Sequence, residues 1–223
     1  MDIIEAIKNR HSVRQYLDKE IEEEKVLQLQ EEIDKCNKES GLSIQLITNE
    51  PEAFYGNKPH YGWFSGVKNY IALVGEKRDK SLDEKIGYYG ERIVIKSAML
   101  GLNTCWVALT YRKNKAKVVV DKDQKLVCVI SLGYGKTQGV NHKSKNIKQV
   151  SNINEYSPEW FRSGVEMALL APTAINQQQF YFELLEGNNV RAKAGIGVCA
   201  KVDLGIVKYH FEVGARKENF TFV

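Results

Sequence analysis

The apolar positions of the chain fall into a sequence of short periodic blocks. In Asp2-Ile3-Ile4-Glu5-Ala6-Ile7-Lys8-Asn9 they sit at 3, 4 and 7, one face of a short helix behind an aspartate able to cap it. The basic stretch Arg10–Tyr16 breaks that period and reads as a loop. A second helix is predicted from Lys19 to Cys36, where Ile21, Val26, Leu29 and Ile33 form a stripe on a glutamate-rich surface. Strands are predicted at Leu42–Thr48, closed by Asn49-Glu50-Pro51, and at Tyr70–Gly75, which is apolar almost throughout and expected to be buried on both faces. Between them lie Tyr55, His60, Tyr61, Trp63 and Phe64, an aromatic loop that suits a lid or cofactor wall and equally a plain Ω-loop. Leu82–Met99 carries little polar surface and is expected to be the central buried helix, stopped by Gly101. Leu102–Leu109 follows as strand or turn, and Lys125–Leu132 as a β-branched strand ending in Gly133-Tyr134-Gly135.

The last third repeats this alphabet. Pro158–Leu170 reads as a helix, Ala171–Asn176 as a break, Gln179–Leu185 as a strand, Gly187-Asn188 as a turn, Ala194–Ala200 as a strand and Asp203–Ala215 as a helix. The class is α+β. Helix, strand, strand and helix recur in order in both halves, which suggests one domain built from two degenerate half-repeats, about 1–110 and 151–223, with a 111–150 connection. A duplicated chain of this kind would be a pseudo-two-fold unit that buries its own dimer interface. Coincidence is the alternative, because α+β chains often alternate in this way.

Composition narrows the function classes. The 223 residues are 43% hydrophobic and 27% charged, enough for a real core and against disorder as the main state. No apolar run approaches the roughly 18–20 residues of a membrane span, and the N-terminus lacks a signal-peptide core, so a soluble cytoplasmic protein without membrane partners is expected. A net charge of +4 is too small to argue for nucleic acid, and the basic stretches Arg112–Lys117 and His142–Lys148 have no interleaved stacking residues. Cys36, Cys105, Cys128 and Cys199 are far apart with mostly apolar neighbours, which suggests buried thiols rather than bridges or a metal site. The four histidines have no ligand spacing, so the sequence gives no hint of zinc or iron.

Two segments offer chemistry. Arg10-His11-Ser12-Val13-Arg14 places two guanidiniums and a hydroxyl within five residues, a set suited to phosphate oxygens, although surface arginines commonly serve as salt-bridge partners. In Ala171-Pro172-Thr173-Ala174-Ile175-Asn176 the proline removes a donor, while Thr173 and Asn176 present polar groups beside open backbone. Such a segment can bond the edge of a planar heterocycle or simply end a helix.

These residues carry a family resemblance. Arg10–Tyr16 resembles the R-R-S-x-R-x-F opening of FMN-dependent nitroreductases, and Ala171–Gln177 resembles their A-P-S-A-x-N segment. Ala98–Trp106 is similar to the G-L-G-T-C-W end of their central helix, Ile130–Gly135 to their a-l-G-y-P strand end, and His142–Val150 to a basic segment near it. The resemblance implies a nitroreductase-like fold, with a central, mostly antiparallel sheet flanked by helices and an internal pseudo-two-fold repeat.

The motif order departs from the family's pattern. Ordinary members are homodimers with FMN at the interface, and their A-P-S-A segment follows the arginine loop by about twenty residues. Here Asp34–Gly41 holds no Ala-Pro, and the segment comes near residue 172. That layout resembles the single-chain branch of the superfamily, in which one chain would build one flavin site, as a monomeric pseudo-dimer; a homodimer stays open. By this resemblance Arg10 and Ser12 would bind the FMN phosphate, with Lys143 and Lys145 adding charge. Arg14 would reach the ribityl chain or the N1 edge of the ring. Pro172, Thr173 and Asn176 would line the ring, and Gly133 and Tyr134 would approach it through backbone. His11 stands where the family usually has arginine, so its role is open. Gln178-Gln179-Phe180 replaces the family's Pro-Trp, which leaves the substrate side undefined.

The activity so implied is that of an FMN oxidoreductase moving electrons from NAD(P)H, either NADH or NADPH, to a small-molecule acceptor such as a nitroaromatic or quinone. The flavin carries the chemistry, so no catalytic side chain is expected. The alternative is a non-catalytic flavin- or ligand-binding protein on the same scaffold.

Overall fold

The computed structural model describes residues 1–55 and 63–223. The chain divides into two compact units, Met1–Leu82 with Ile93–Val140, and Asp83–Arg92 with Asn141–Val223.

The first unit begins with α1 (Ile3–Asn9), whose cap is the expected one: the Asp2 carboxylate accepts the Glu5 N–H at 2.8 Å. Helix α2 (Glu23–Ser40) starts and ends later than its apolar stripe suggests. At its C-terminus the stop is Gly41, whose φ of 72° a glycine adopts without penalty. At its N-terminus the preceding residues serve another contact. Lys19 lies 3.9 Å over the Tyr134 ring, and the Tyr134 hydroxyl bonds Glu22 and accepts from Lys25.

Four strands form one sheet in the order β1-β2-β4-β3, every pair antiparallel: β1 (Gln45–Ile47), β2 (Asn69–Glu76), β3 (Asn103–Val107) and β4 (Gln124–Gly133). As predicted, β2 is buried from Asn69 to Gly75. Tyr16, Phe54, Phe64, Tyr70, Val74, Val107 and Val129 join one apolar cluster in this unit. Each such side chain, fully buried, contributes about 1.5–3 kcal/mol, which is why this sheet anchors the loops around it. Helix α3 (Leu82–Met99) has no exposed residue along its length, in line with its sparse polar surface.

The second unit packs α4 (Glu159–Ala168) against α5 (Ala200–Ala215) beside a three-stranded sheet, β5 (Phe180–Leu184), β6 (Asn189–Ala194) and β7 (Thr221–Phe222). Pairs β5/β6 and β6/β7 are antiparallel and parallel respectively. Its core is aromatic: Phe182 stacks on Phe211 at 4.5 Å between ring centres, and Phe161 and Phe220 meet Phe211 edge-on. Close approach of α5 to the first turns of α3 depends on two glycines. A Cβ on Gly87 would lie 1.9 Å from the Val202 carbonyl oxygen, and one on Gly205 would lie 1.9 Å from that of Glu84. The fully buried His210 and Glu91 side chains bond at 2.8 Å between these same helices, and the other His210 ring nitrogen donates to Met167 O on α4.

Two expectations are corrected. The predicted strand Ala194–Ala200 is instead a loop, and the strand precedes it as β6. Gly187 and Asn188 turn the chain at φ 68° and 57°, so it runs straight back along β5 and its partners are used up where Ala194 meets Phe180. Residues 195–199 are therefore exposed, Ile196 almost wholly. Cys199, expected to be buried, is exposed at the start of α5, while Cys36, Cys105 and Cys128 are buried and all four are unbridged.

Candidate functional site

The predicted site residues fall into two sets, one in each unit. Arg10, His11, Ser12, Arg14, Gly133 and Tyr134 belong to the first, and Lys143, Lys145, Pro172, Thr173 and Asn176 to the second.

In the first unit the arginine loop is an extended segment sewn to its surroundings by backbone bonds. Val13 N–H donates to Thr104 O, Tyr16 N–H to Ser65 O, Leu17 N–H to Tyr134 O, and Lys136 N–H to Gln15 O. Beneath it the buried Tyr16 hydroxyl donates to Val13 O at 2.7 Å and meets Ser131 Oγ at 2.8 Å. Burial pushes the Tyr16 phenol well above its ordinary range, so it stays a neutral donor. Arg10 is buried and Arg14 exposed. Arg10 and His11, with Asn103, Thr104 and Gln138, line a cavity of about 90 Å³. The buried Cys105 thiol is hydrogen-bonded with Ser12 and lies within electrostatic range of Arg14 and Arg10. Burial pushes this thiol up despite the two cations and the Ser12 hydrogen bond, so it stays neutral. A Cβ on Gly133 would meet the Tyr16 ring at 3.1 Å, and the Tyr134 side chain bonds α2 while its carbonyl accepts the Leu17 N–H.

In the second unit the break after α4 is a strained turn. Ile175, Asn176 and Gln178 all have positive φ, at 49°, 56° and 47°, which costs about 1–2 kcal/mol for each such non-glycine residue. Side chains hold it there. Asn176 Nδ2 and Gln178 Nε2 both donate to Lys143 O, Gln178 Nε2 also to Asn176 Oδ1, and Lys145 N–H donates to Gln178 Oε1. Lys145 Nζ donates to Gln178 O, and Gln178 N–H to Thr173 Oγ1. Lys143, Lys145, Thr173 and Asn176 are thus brought into one constellation, with Gln178 as the linchpin that sequence reasoning missed. Pro172 and Thr173 are half-buried, while Ile175 and Lys143 are exposed.

A second residue not anticipated is Asp203, on the first turn of α5. Its buried carboxylate accepts the Ala174 N–H at 3.0 and 3.1 Å and Gln177 Nε2 at 2.7 Å. Burial raises its pKa to about 6, against the lowering effect of those donors. An aspartate at the start of a helix is an ordinary dipole partner by sequence, which is why it did not stand out. Of the aromatic loop, Tyr55 and Trp63 are exposed and Phe64 joins the core; His60 and Tyr61 lie outside the described residues.

The two sets define a protein of the nitroreductase fold, with a guanidinium loop on an antiparallel sheet and a polar turn after a helix. Residues 2–215 match the family described as "Putative TM nitroreductase", and the chain belongs to that family. A "putative nitroreductase" structure from Thermotoga maritima shares the fold over 98% of this chain and 85% of its own, with a TM-score of 0.66 and 24% identity. A "putative nitroreductase" from Desulfovibrio desulfuricans, in complex with FMN, covers 71% of this chain and 99% of its own at 15% identity and a TM-score of 0.55. A "Putative NADH Oxidase" from Clostridium acetobutylicum covers 69% and 99% at 18% identity and 0.52. A search of the curated proteins gave no match. No helix among the described residues is long and apolar enough to cross a membrane.

Proposed function

We propose that the protein is an FMN-dependent oxidoreductase that takes reducing equivalents from NADH or NADPH and delivers them to a small acceptor such as a nitroaromatic or quinone. The observation that carries this reading is that Arg10, Ser12 and Arg14 share one loop held by backbone bonds to its surroundings, in a chain of the nitroreductase family. The donor set fits the group. A phosphate asks for fixed cations and hydroxyls, and this loop presents both from backbone pinned to a sheet.

When bound, FMN supplies the hydride and electron transfer. The chain's own residues have holding tasks. Arg10 and Ser12 receive the phosphate, and His11, beside Arg10 on the cavity wall, adds a ring donor. Arg14, exposed, reaches toward the ribityl chain or the N1 edge, where a cation favours the reduced ring. The 172–178 turn offers the hydroxyl of Thr173 and the flank of Pro172 to the ring, with Lys143 and Lys145 beside it. Asn176 has both ends of its amide in use, so it shapes the turn more than it touches the ligand.

Anaerobic titration of the FMN-loaded protein with NADH and then NADPH tests the reading. Bleaching of the flavin absorbance followed by reoxidation with a quinone is expected. Protein that takes up FMN but is not bleached by either donor would instead be the non-catalytic flavin binder. Protein that takes up no FMN at all would overturn the proposal. One FMN per monomeric chain is expected, in keeping with the single-chain branch.

A further inference from the structure

Asp203 holds the turn from below. Its two carboxylate oxygens receive the Ala174 N–H and the Gln177 amide, and the same Gln177 nitrogen donates to Val198 O at 2.6 Å, tying the turn to the loop before α5. Those two anchor points bracket Ile175 and Asn176, two of the residues at positive φ. A strained turn persists only where its surroundings over-determine it, and here the bonds from Lys143, Lys145 and Thr173 secure one side while Asp203 secures the other. A buried charge is unfavourable to folding, so stability alone is a poor account of this residue.

We propose that Asp203 is a positioning residue for the proposed cofactor: its carboxylate sets the conformation in which Pro172–Gln178 receives the flavin ring. The proposal rests on the FMN reading above. Asp203 touches no reacting atom; it acts through Ala174 and Gln177. The turn itself brings it no ionisable side chain, since Ala174 to Gln178 are apolar or amide residues. At the start of its own helix the Cys199 thiol lies within electrostatic range of Asp203 and of Asp83 on α3; burial first, then these two carboxylates, push that thiol up. The titratable groups this places near Asp203 are the Cys199 thiol and, through it, Asp83.

The experiment has one arm without flavin and one with it. In selectively ¹⁵N-alanine-labelled apoprotein, with Ala174 identified by the signal missing from A174G, the Ala174 amide resonance should move with pH around a midpoint near 6. The direction is upfield on acidification, as the carboxylate it donates to takes a proton. In Asp203→Asn that movement should vanish while the melting temperature at pH 7.5 stays level or rises. FMN affinity of Asp203→Asn at pH 7.5, read by quenching of flavin fluorescence, should fall about tenfold, and Gln177→Ala should fall in the same direction. An Ala174 amide that does not titrate in the wild type, or an Asp203→Asn protein that binds FMN as tightly as the wild type, overturns the proposal. A wild type that binds no FMN but shows the titration refutes the flavin reading and leaves Asp203 as the anchor of an apo turn, which also overturns its assignment to the cofactor.

Discussion

The arginine loop and the 172–178 turn are both short polar connections, yet they are held by different means. The loop is extended and is bonded through its backbone to Thr104, Ser65, Tyr134 and Lys136, with one aromatic side chain, Tyr16, beneath it. The turn is strained and, beyond two backbone bonds of its own, is tied to its surroundings through side chains: Asp203, Gln177, Gln178 and Asn176. Backbone bonds survive substitution of the residue that makes them, so the loop can vary its side chains and keep its shape. The turn has no such freedom, because removing one side chain releases strain that another must then contain.

The largest test concerns what lies under the loop. Replacing Tyr16 by alanine should remove about 4 kcal/mol from unfolding stability measured in denaturant, the range for deleting a buried aromatic ring. Tyr16→Phe should remove only about 1 kcal/mol, because the backbone bonds remain. Equal losses would mean that the hydroxyl, and not the ring and backbone, fixes the loop.

The turn should instead reveal itself through pH. The Asp203 carboxyl lies near 6 in the folded chain against an ordinary 3.8, so between those values the folded state binds more protons than the unfolded one. Stability should therefore fall by on the order of 2 kcal/mol as pH rises from about 4 to 6, and then be level with respect to this group. Asp203→Asn should lack that slope, so the difference between wild type and variant should carry it. A slope of the opposite sign would contradict the dominance of burial.

Contrasting single side chains sharpens the comparison. Gln178→Ala should cost about 2 kcal/mol of stability, since the buried amide bonds Lys143, Lys145 and Asn176 at once. Arg14→Ala, on the loop, should leave stability within about 0.5 kcal/mol because the side chain is exposed, while FMN affinity falls by about 2 kcal/mol. If Arg14→Ala destabilised the fold as much as Gln178→Ala, the distinction between the two regions would fail. The smallest effect is expected at Ile175: glycine there relieves strain of about 1–2 kcal/mol and adds up to about 1 of unfolded-state freedom. A net gain of about 0.5 kcal/mol in denaturant melts is expected.

Most elements and both candidate segments were legible along the chain, and the failures have common causes. Periodicity marked α1, α3, β2 and β4 because their partners are apolar and near in pattern. It misplaced β6, since a glycine-rich apolar run looks like a strand whether or not another strand lies opposite. It missed β7, whose two residues pair in parallel with β6 from thirty residues away and carry no period of their own. Gln178 and Asp203 were invisible for a related reason: an amide or a carboxylate acquires its role from what folds against it.

By itself, then, the sequence determined the α+β alternation, the buried sheet and the motifs that mark a nitroreductase, because these depend on local pattern and on residue types in order. Only the tertiary structure decided which side chains hold the turn in strain, that Cys105 bonds Ser12 of the arginine loop, and that α3 and α5 meet through Gly87 and Gly205. Those facts rest on distances between residues far apart in the chain, which no local pattern encodes.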